Sequence, residues 1–183
     1  MAQAPVKTAL ANYFKADNQE VVPEAAELYI EMGNSLGMDP DLVQRYGTQG
    51  AIPYLDLQME DNIDPDQPAL LDRSLGDSLA FMEGFGRGAP EELVEEASNR
   101  YDTVFVLEQF ELDSLEREGD KTRTNDEELS REVHDFVAGY YEEVLDYDTV
   151  EVPCASLSER AELIAENSEL EMPDLEFDYS GLR

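Results

Sequence analysis

The sequence predicts an α/β domain built on a parallel sheet, and three observations carry that prediction. Short apolar runs bounded by turn residues recur along the chain. Each run is followed by a segment whose apolar residues have helical spacing. The 183 residues, 42% of them hydrophobic, suffice for one compact domain. Because strands and helices that alternate at this length imply right-handed crossovers between parallel strands, we assign one domain to residues 1–167 and an acidic tail to residues 168–183.

The elements follow from local patterns, taken in chain order. The first half contains helices at residues 7–16, 24–36 and 74–84 and strands at residues 20–23 and 69–71. A further helix begins near Asp39 and extends at most to Glu60, with Gly47, Gly50 and Pro53 weakening its middle. The second half contains helices at residues 91–100, 125–145 and 158–167 and strands at residues 103–107 and 149–153.

Composition excludes several classes of protein. No run of about 18 apolar residues is present and the start of the chain lacks the pattern of a secretory signal, so we expect a soluble, cytoplasmic protein. Cys154 and His134 are the only cysteine and histidine, which excludes an internal disulfide, a cysteine-based zinc cluster and a histidine-rich metal site. Both side chains are expected to serve packing or to lie at the surface.

The charge is strongly negative, with 44 acidic residues against 12 Lys and Arg and a net charge of −32. Such a chain repels nucleic-acid phosphates and anionic lipid, so we expect neither nucleic acid nor membrane as a partner. Acid-rich surfaces that are poor in lysine are typical of halophilic proteins, whose self-repulsion is screened by salt. The alternative is an acidic decoy that mimics DNA, which the spread of charge over many segments disfavours.

Polar residues follow the predicted strands at their carboxyl ends, where ligands of parallel sheets bind. Glu24 follows the first strand, and Asp72 and Arg73 follow the second, with Asp77 one helical turn later. A carboxylate there could align a substrate hydroxyl or hold Mg²⁺ while the guanidinium holds an anion. Alternatively, Asp72 caps the next helix and Glu24 favours the dipole of its own helix.

A third group of candidates lies in the charged, glycine-containing segment at about residues 108–125. Arg117 and Arg123 are concentrated there, in an otherwise acidic chain. Placing scarce cations beside a helix start indicates a lid that closes on phosphates. The alternative is a solvated loop whose arginines pair with neighbouring acids.

The chain also begins with half of a phosphate-binding motif. Lys7 and Thr8 lead straight into an apolar helix, as the last two residues of the G-x-x-x-x-G-K-[ST] pattern do. Met1 and Val6 stand where that pattern has its two glycines. A β-branched valine does not easily adopt the positive φ that glycine supplies, so the loop as written departs from the motif.

Five blocks then occur in the order found in one family. They are residues 21–26, 71–80, 101–107, 123–124 and 147–153. In these blocks the chain resembles NadR-like P-loop AAA/ATPase domains of the haloarchaeal type, which are similar to ribosylnicotinamide kinases and small nucleoside kinases. The resemblance implies a three-layer P-loop NTPase or nucleoside-kinase-like fold with a parallel sheet, in which the first, central strand is missing or replaced in this chain.

The resemblance also implies ATP and Mg²⁺ as cofactors and a nucleoside-like or nicotinamide-riboside-like small molecule as phosphoryl acceptor. Lys7 would contact the β- and γ-phosphates, and Thr8 would ligate Mg²⁺. Asp72 would act as base or as organiser of Mg²⁺, while Arg117 and Arg123 would neutralise charge on the transferred group. Glu24, Arg73 and Asp77 would line the acceptor pocket.

The departure from the motif leaves two hypotheses about the chain. One is that the true start lies upstream, so that the full-length form is a kinase. The other is that the protein has lost the loop, kept the fold, and acts as a non-catalytic nucleotide-binding or protein-interaction module. We favour the first, because a remnant without function has no reason to keep Lys7, Thr8, Asp72, Arg73 and the cations of the lid together.

Overall fold

The computed structural model of the chain describes residues 6–108 and 127–173. Eight α-helices occupy that part of the chain: α1 Val6–Ala16, α2 Ala25–Ser35, α3 Pro40–Tyr46, α4 Ile52–Glu60, α5 Leu75–Gly84, α6 Glu91–Ala97, α7 Glu127–Glu143 and α8 Leu157–Glu166. The strands are β1 Glu20–Val22, β2 Ala69–Leu71, β3 Val104–Leu107 and β4 Thr149–Val152. Among the described residues, no helix is both long and apolar enough to cross a membrane.

The four strands form two separate parallel pairs. β1 pairs with β2, with Val21 opposite Leu70, and β3 pairs with β4, with Phe105 opposite Val150. Within the described residues no ladder joins β2 to β3. The predicted parallel pairing is therefore confirmed, and among the described residues the strands form two separate pairs.

Both pairs begin at the same edge of the molecule. Gln19, just before β1, donates from its side chain to the carbonyl of Glu171 at 2.6 Å. Thr103, just before β3, donates from its hydroxyl to the carbonyl of Asn167 at 3.2 Å. Because both partners belong to one short segment after α8, the amino ends of β1 and β3 lie side by side and all four strands run in one direction. The carboxyl ends therefore share the opposite edge.

Helices cover both faces of the strands. On one face, α1 and α8 contribute the buried side chains of Leu10, Phe14 and Ile164, which pack with Leu70 of β2 and Phe105 of β3. On the other face, a second cluster from α5, α6 and α7 packs against Val104 and includes Leu79, Leu93 and Tyr140. Alternate residues of β3 thus face opposite layers, as a strand covered on both sides requires. This arrangement is consistent with a three-layer α/β fold.

Helix starts follow capping chemistry. Ser74 precedes α5 and Ser156 precedes α8, and each forms a capping box with the acidic residue three positions later, Asp77 and Glu159. The hydroxyl accepts from the helix and the carboxylate accepts from the cap amide, so otherwise unpaired N–H groups are satisfied. Ser74, and not Asp72, is therefore the cap of the helix after β2.

The segment predicted as one helix up to Glu60 instead forms two α-helices with a π-helical turn between them. α3 ends at Tyr46, a short π-helical turn follows at Gly47–Ala51, and α4 begins at Ile52. Gly50 has φ of 126° inside this turn, which glycine tolerates and other residues rarely adopt. The glycines that weakened the prediction are the physical reason for the break.

The first part of the predicted tail packs on the domain. Leu170 is 7% exposed and belongs to the cluster that contains Leu10 and Phe14. The backbone N–H of Glu171 also donates to the side-chain oxygen of Gln19 at 3.1 Å. The folded core therefore includes residues beyond 167.

Candidate functional site

The carboxyl edge of the first strand pair brings two predicted site residues into contact. Glu24 follows β1 and Arg73 follows β2, and Arg73 Nε lies 3.1 Å from Glu24 Oε2. The pairing of β1 with β2 sets this distance, because the two residues leave adjacent strands at the same edge. The guanidinium also lies over the ring of Phe81, 5.3 Å from its centroid.

Arg73 is held in an unusual backbone conformation. Its φ is 73°, in the left-handed region that costs an L-residue about 1–2 kcal/mol. That turn directs the chain from β2 into α5 and leaves the guanidinium beside Glu24. A strained non-glycine residue at the end of a strand is a feature found often at binding sites.

The charge environment of Arg73 is dominated by acids. Burial lowers the pKa of its guanidinium, but the negative charges of Asp77, Glu24 and Asp72 together outweigh burial and raise it. Arg73 therefore stays charged, and its charge is largely balanced by these carboxylates. Because its charge is balanced by these carboxylates, the guanidinium attracts a free anion only weakly. Its main effect is to orient the carboxylates around it.

Asp77 is engaged in structural hydrogen bonds. Its Oδ2 accepts from the backbone N–H of Ser74 at 3.1 Å and from the hydroxyl of Tyr141 at 2.8 Å. The Tyr141 hydroxyl also lies 2.5 Å from Ser74 Oγ. These contacts place Asp77 at the joint between α5 and α7, below the strand end that carries Asp72.

A buried acidic group lies next to this joint. Glu60 Oε1 accepts from the backbone N–H of Leu75 at 2.7 Å, and the Tyr101 hydroxyl lies 3.3 Å from Glu60 Oε2. Burial raises the pKa of Glu60, although the Leu75 amide and Arg100 oppose the rise. Arg100 lies 3.5 Å from Glu60 Oε2 and also pairs with Asp61 at 2.8 Å.

Asp56 on α4 is the second buried acid of this region. The hydroxyl of Ser78 donates to its Oδ2. Burial raises the pKa of Asp56 to about 7, the Ser78 hydrogen bond opposes the shift, and Glu60 adds to it. Sequence reasoning did not find Asp56 or Glu60, because polar residues within a helical pattern are ordinarily exposed.

A groove of about 1050 Å³ separates the two strand pairs. All residues of β2 and β3 line it, and so do Asp72, Arg73 and Asp77. His134 and Tyr141 reach it from α7. The groove therefore runs from the middle of the domain to the edge where Glu24 and Arg73 meet.

The first turn of α1 faces the same edge. Val6, Lys7 and Thr8 begin this helix, and a tight turn at residues 17–19, in which Asn18 has φ of 61°, reverses the chain into β1. Because α1 packs along β1 and β2 and runs opposite to them, its amino end lies at their carboxyl edge. The positive end of a helix dipole at that edge is a setting in which phosphates bind.

Other predicted residues are placed differently. Arg117 and Arg123 lie outside the described residues. Cys154 is exposed, and its backbone N–H donates to Glu108 Oε2 at 2.8 Å. It joins the turns after β3 and β4 and lies apart from Arg73.

Sequence reasoning missed Arg160 as a residue of this edge. Arg160 is 1% exposed, and its Nη2 donates to the carbonyls of Glu108 at 3.1 Å and Val152 at 3.3 Å. It thereby covers the carboxyl ends of β3 and β4, and burial lowers the pKa of its guanidinium. The sequence offered one indication of this role. Arg160 lies in the first turn of α8, where the helix dipole disfavours a cation.

Comparison with known families decides the class. A family model described as an AAA domain matches residues 6–160, which include both strand pairs and the first turn of α1. The chain belongs to this AAA domain family. The AAA domain is of the P-loop type, which generally binds ATP with Mg²⁺. No curated protein and no solved structure matches the chain.

The AAA domain's own residues fit these cofactors in part. Within residues 6–108 and 127–173, no three His, Cys, Asp or Glu side chains are grouped as metal ligands. Mg²⁺ in phosphate-binding sites needs only one or two protein ligands, because waters and phosphate oxygens supply the others. The ligands that the resemblance implies are Thr8, in the first turn of α1, and Asp72, which directly follows β2.

Proposed function

We propose that this AAA domain binds ATP with Mg²⁺ and serves phosphoryl transfer to a hydroxyl of a nucleoside-like or nicotinamide-riboside-like small molecule. The observation that carries the proposal is the meeting of three elements at one edge. The first turn of α1, with Lys7 and Thr8, lies at the carboxyl ends of β1 and β2, where Glu24, Asp72 and Arg73 also lie. A cationic helix start opposite carboxylates is what transfer from a nucleotide to a hydroxyl requires.

Each residue has a distinct part in this proposal. Lys7 would contact the β- and γ-phosphates, and Thr8 would hold Mg²⁺, which would supply charge neutralisation at the phosphate oxygens. Asp72 accepts the proton of the acceptor hydroxyl or organises Mg²⁺. Arg117 and Arg123 are assigned to the lid.

The acceptor pocket is proposed at Glu24 and Arg73. Their 3.1 Å ion pair fixes both side chains, and Glu24 accepts a hydrogen bond from an acceptor hydroxyl. Asp77 also belongs to the proposed pocket, but Ser74 and Tyr141 already donate to its Oδ2. Its part is therefore to position the helix that supports Arg73.

A titration of ATP with Mg²⁺ tests the nucleotide site. Lys7→Ala is expected to weaken ATP binding by about tenfold or more, because a contact to phosphate is lost. Lys15→Ala is the matched control, since Lys15 is an exposed lysine in the last turn of the same helix. Isothermal titration calorimetry gives both affinities. Equal affinities of the two variants, or no binding to the unaltered chain, contradict the proposed site.

Phosphoryl transfer is tested separately with radiolabelled ATP and a panel of nucleosides that includes nicotinamide riboside. Asp72→Asn is expected to reduce transfer by about 100-fold or more while ATP affinity changes little. Arg123→Ala is expected to reduce transfer as well, through loss of charge neutralisation. If ATP binds but no member of the panel is labelled, the kinase assignment fails and nucleotide binding remains.

A second candidate is a non-catalytic module that binds a nucleotide weakly or binds a protein. Val6, at the helix start where the P-loop pattern has glycine, favours it, because a valine N–H cannot easily join the turn that wraps a phosphate. Val6→Gly separates the candidates. A large gain in ATP affinity in this variant supports the non-catalytic module, whereas tight ATP binding that is equal in the unaltered chain and in the variant disfavours it.

A further inference from the structure

The helix pair α2 and α3 carries most of its larger apolar side chains on the outside. Its buried residues are Ala25, Gly33 and Val43. Among the described residues of the whole chain, the large apolar side chains that are exposed are concentrated between residues 28 and 54. Single apolar side chains are common on protein surfaces, whereas a group of them on one face marks an interaction site. The arrangement of these side chains on the two helices therefore decides whether they form such a site.

The two helices run in opposite directions. A Cβ built on Gly33 would lie 2.5 Å from Cγ2 of Val43, and one built on Gly47, just after α3, would lie 3.0 Å from Cε1 of Tyr29. One turn back along α2 therefore corresponds to one turn forward along α3. The absence of a side chain at Gly33 lets the helices approach closely, so α2 and α3 form a tight antiparallel hairpin.

Helical spacing arranges the exposed apolar side chains in two stripes. A residue and the residue four positions later lie on the same face of a helix. By this spacing, Leu28 and Met32 of α2 form a stripe with Leu36, which directly follows the helix, and Leu42 forms a second stripe with Tyr46 on α3.

The two stripes lie on the same side of the hairpin. Met32 directly precedes Gly33, and Leu42 directly precedes Val43, which are the residues at which the helices meet. Because the helices are antiparallel, the positions before the meeting point project to one side of the pair. Ile30, three residues before Gly33, projects to the other side. We call one set of exposed side chains the apolar patch: Leu28, Met32, Leu36, Leu42 and Tyr46.

Acidic residues border the apolar patch. Glu31 follows Leu28 by three residues and Asp39 precedes Leu42 by three, so each lies beside one of the stripes, and both are exposed. A second copy of the chain would bring a further net charge of −32 to this surface, which opposes self-association. A partner that carries basic residues next to apolar ones has the complementary charge.

We propose that the apolar patch binds an amphipathic helix of a partner protein, apolar on one face and basic along the flanks of that face. A third helix packs on an antiparallel pair by placing the side chains of its apolar face between the two stripes. The 11 residues of α2 extend over about 16 Å, so about three turns of a partner helix cover the patch. The unbranched side chain of Met32 adapts to the partner's surface. The proposal goes beyond nucleotide binding and does not depend on it.

Synthetic peptides serve as the partner in the test. The probe is a labelled, helix-forming peptide of about 14 residues, or four turns, with leucines on one face and lysines on both flanks. A second peptide has the same composition but spreads the leucines around the helix. A third keeps the leucines and replaces the lysines with glutamates. Fluorescence anisotropy at physiological ionic strength measures the affinity of each peptide for the full chain.

The probe is expected to bind at least about tenfold more tightly than either of the other peptides. Met32→Gln and Leu42→Gln are each expected to weaken its binding by about tenfold, because each removes an apolar contact. Ile30→Gln is the matched control, since Ile30 is 45% exposed against 52% for Met32 but lies on the other side of the hairpin. It should change the affinity by less than about twofold. Thermal unfolding verifies that each variant is folded.

Four results overturn the proposal. The first is that the probe does not bind. The second is equal binding of either control peptide, which indicates attraction by charge alone or by apolar adhesion alone. The third is a loss of affinity in Ile30→Gln equal to that in Met32→Gln. The fourth is a dimer of the chain, seen by sedimentation without peptide, that Leu42→Gln dissociates, because a second copy then occupies the patch.

Discussion

The hydroxyl of Tyr141 lies 2.8 Å from Oδ2 of Asp77, and this contact fixes α7 to the first turn of α5. The same hydroxyl lies 2.5 Å from Ser74 Oγ, and the ring is 5% exposed. Tyr141→Phe leaves the partly buried Asp77 carboxylate without this donor and the buried Ser74 hydroxyl without this partner, so we expect the free energy of unfolding to fall by about 1–3 kcal/mol. Urea denaturation measures the change.

The control for this prediction is Tyr54→Phe. Tyr54 is 51% exposed, so the same chemical change should alter stability by no more than about 0.5 kcal/mol. Equal effects of the two substitutions would show that the Tyr141 hydroxyl does not stabilise the joint between α5 and α7.

Gly76 allows Tyr141 to approach α5 closely. A Cβ built on Gly76 would lie 2.6 Å from the Tyr141 ring and hydroxyl, a distance that requires the helices to move apart. We expect Gly76→Ala to lower the free energy of unfolding by about 1–3 kcal/mol. Gly139→Ala, in the helix that carries Tyr141, meets nothing within 4 Å and should be neutral or stabilising by up to about 1 kcal/mol. Thermal unfolding of both variants gives the comparison, and a destabilised Gly139→Ala would contradict it.

Asp56 makes the stability of the domain depend on pH. Its pKa rises from an ordinary value of 3.8 to about 7 in the folded chain, so between these values the folded state binds more protons than the unfolded state. The free energy of unfolding therefore falls as pH rises through this window, by an amount on the order of a few kcal/mol. Burial of Glu60 acts in the same direction.

Asp56→Asn is expected to remove part of that dependence, because asparagine keeps an oxygen for the Ser78 hydroxyl but loses the titrating proton. Unfolding at pH 4 and at pH 8 should differ less in this variant than in the unaltered chain. Asp66→Asn, at an exposed position, is the control for the change of one charge in a strongly acidic protein. An Asp56→Asn variant whose pH profile parallels that of Asp66→Asn would refute the assignment.

Arg73 permits a direct measurement of backbone strain. Arg73→Gly and Arg73→Ala both lose the ion pair to Glu24 and the contact with Phe81. Only glycine adopts a φ of 73° without steric cost, so we expect the glycine variant to be more stable than the alanine variant by about 1 kcal/mol. If alanine is the more stable of the two, residue 73 does not retain this conformation.

Much of the fold follows from local pattern. The apolar run at Val104–Leu107 and the start of the helix at Leu75 could be predicted because strand burial and capping depend on neighbours in sequence. The meeting of Glu24 with Arg73 could be anticipated as well, since parallel strands bring their carboxyl ends to one edge.

The remainder depends on contacts between distant parts of the chain. Arg160 reaches Glu108 across 52 positions and Tyr101 reaches Glu60 across 41. Nothing in the residues around each partner specifies the other.

Phe14 acquires a particular importance from the divided sheet. In a continuous sheet, backbone ladders make the strands unfold together, whereas here β1 and β2 are joined to β3 and β4 through side chains. Phe14, fully buried beside Leu10 and Ile164, touches the cluster to which both strand pairs contribute. Cooperative unfolding of the two halves therefore depends on the packing of a few apolar side chains in this cluster. Slow separation of the halves, with each pair still intact, is the opening motion that such a molecule favours.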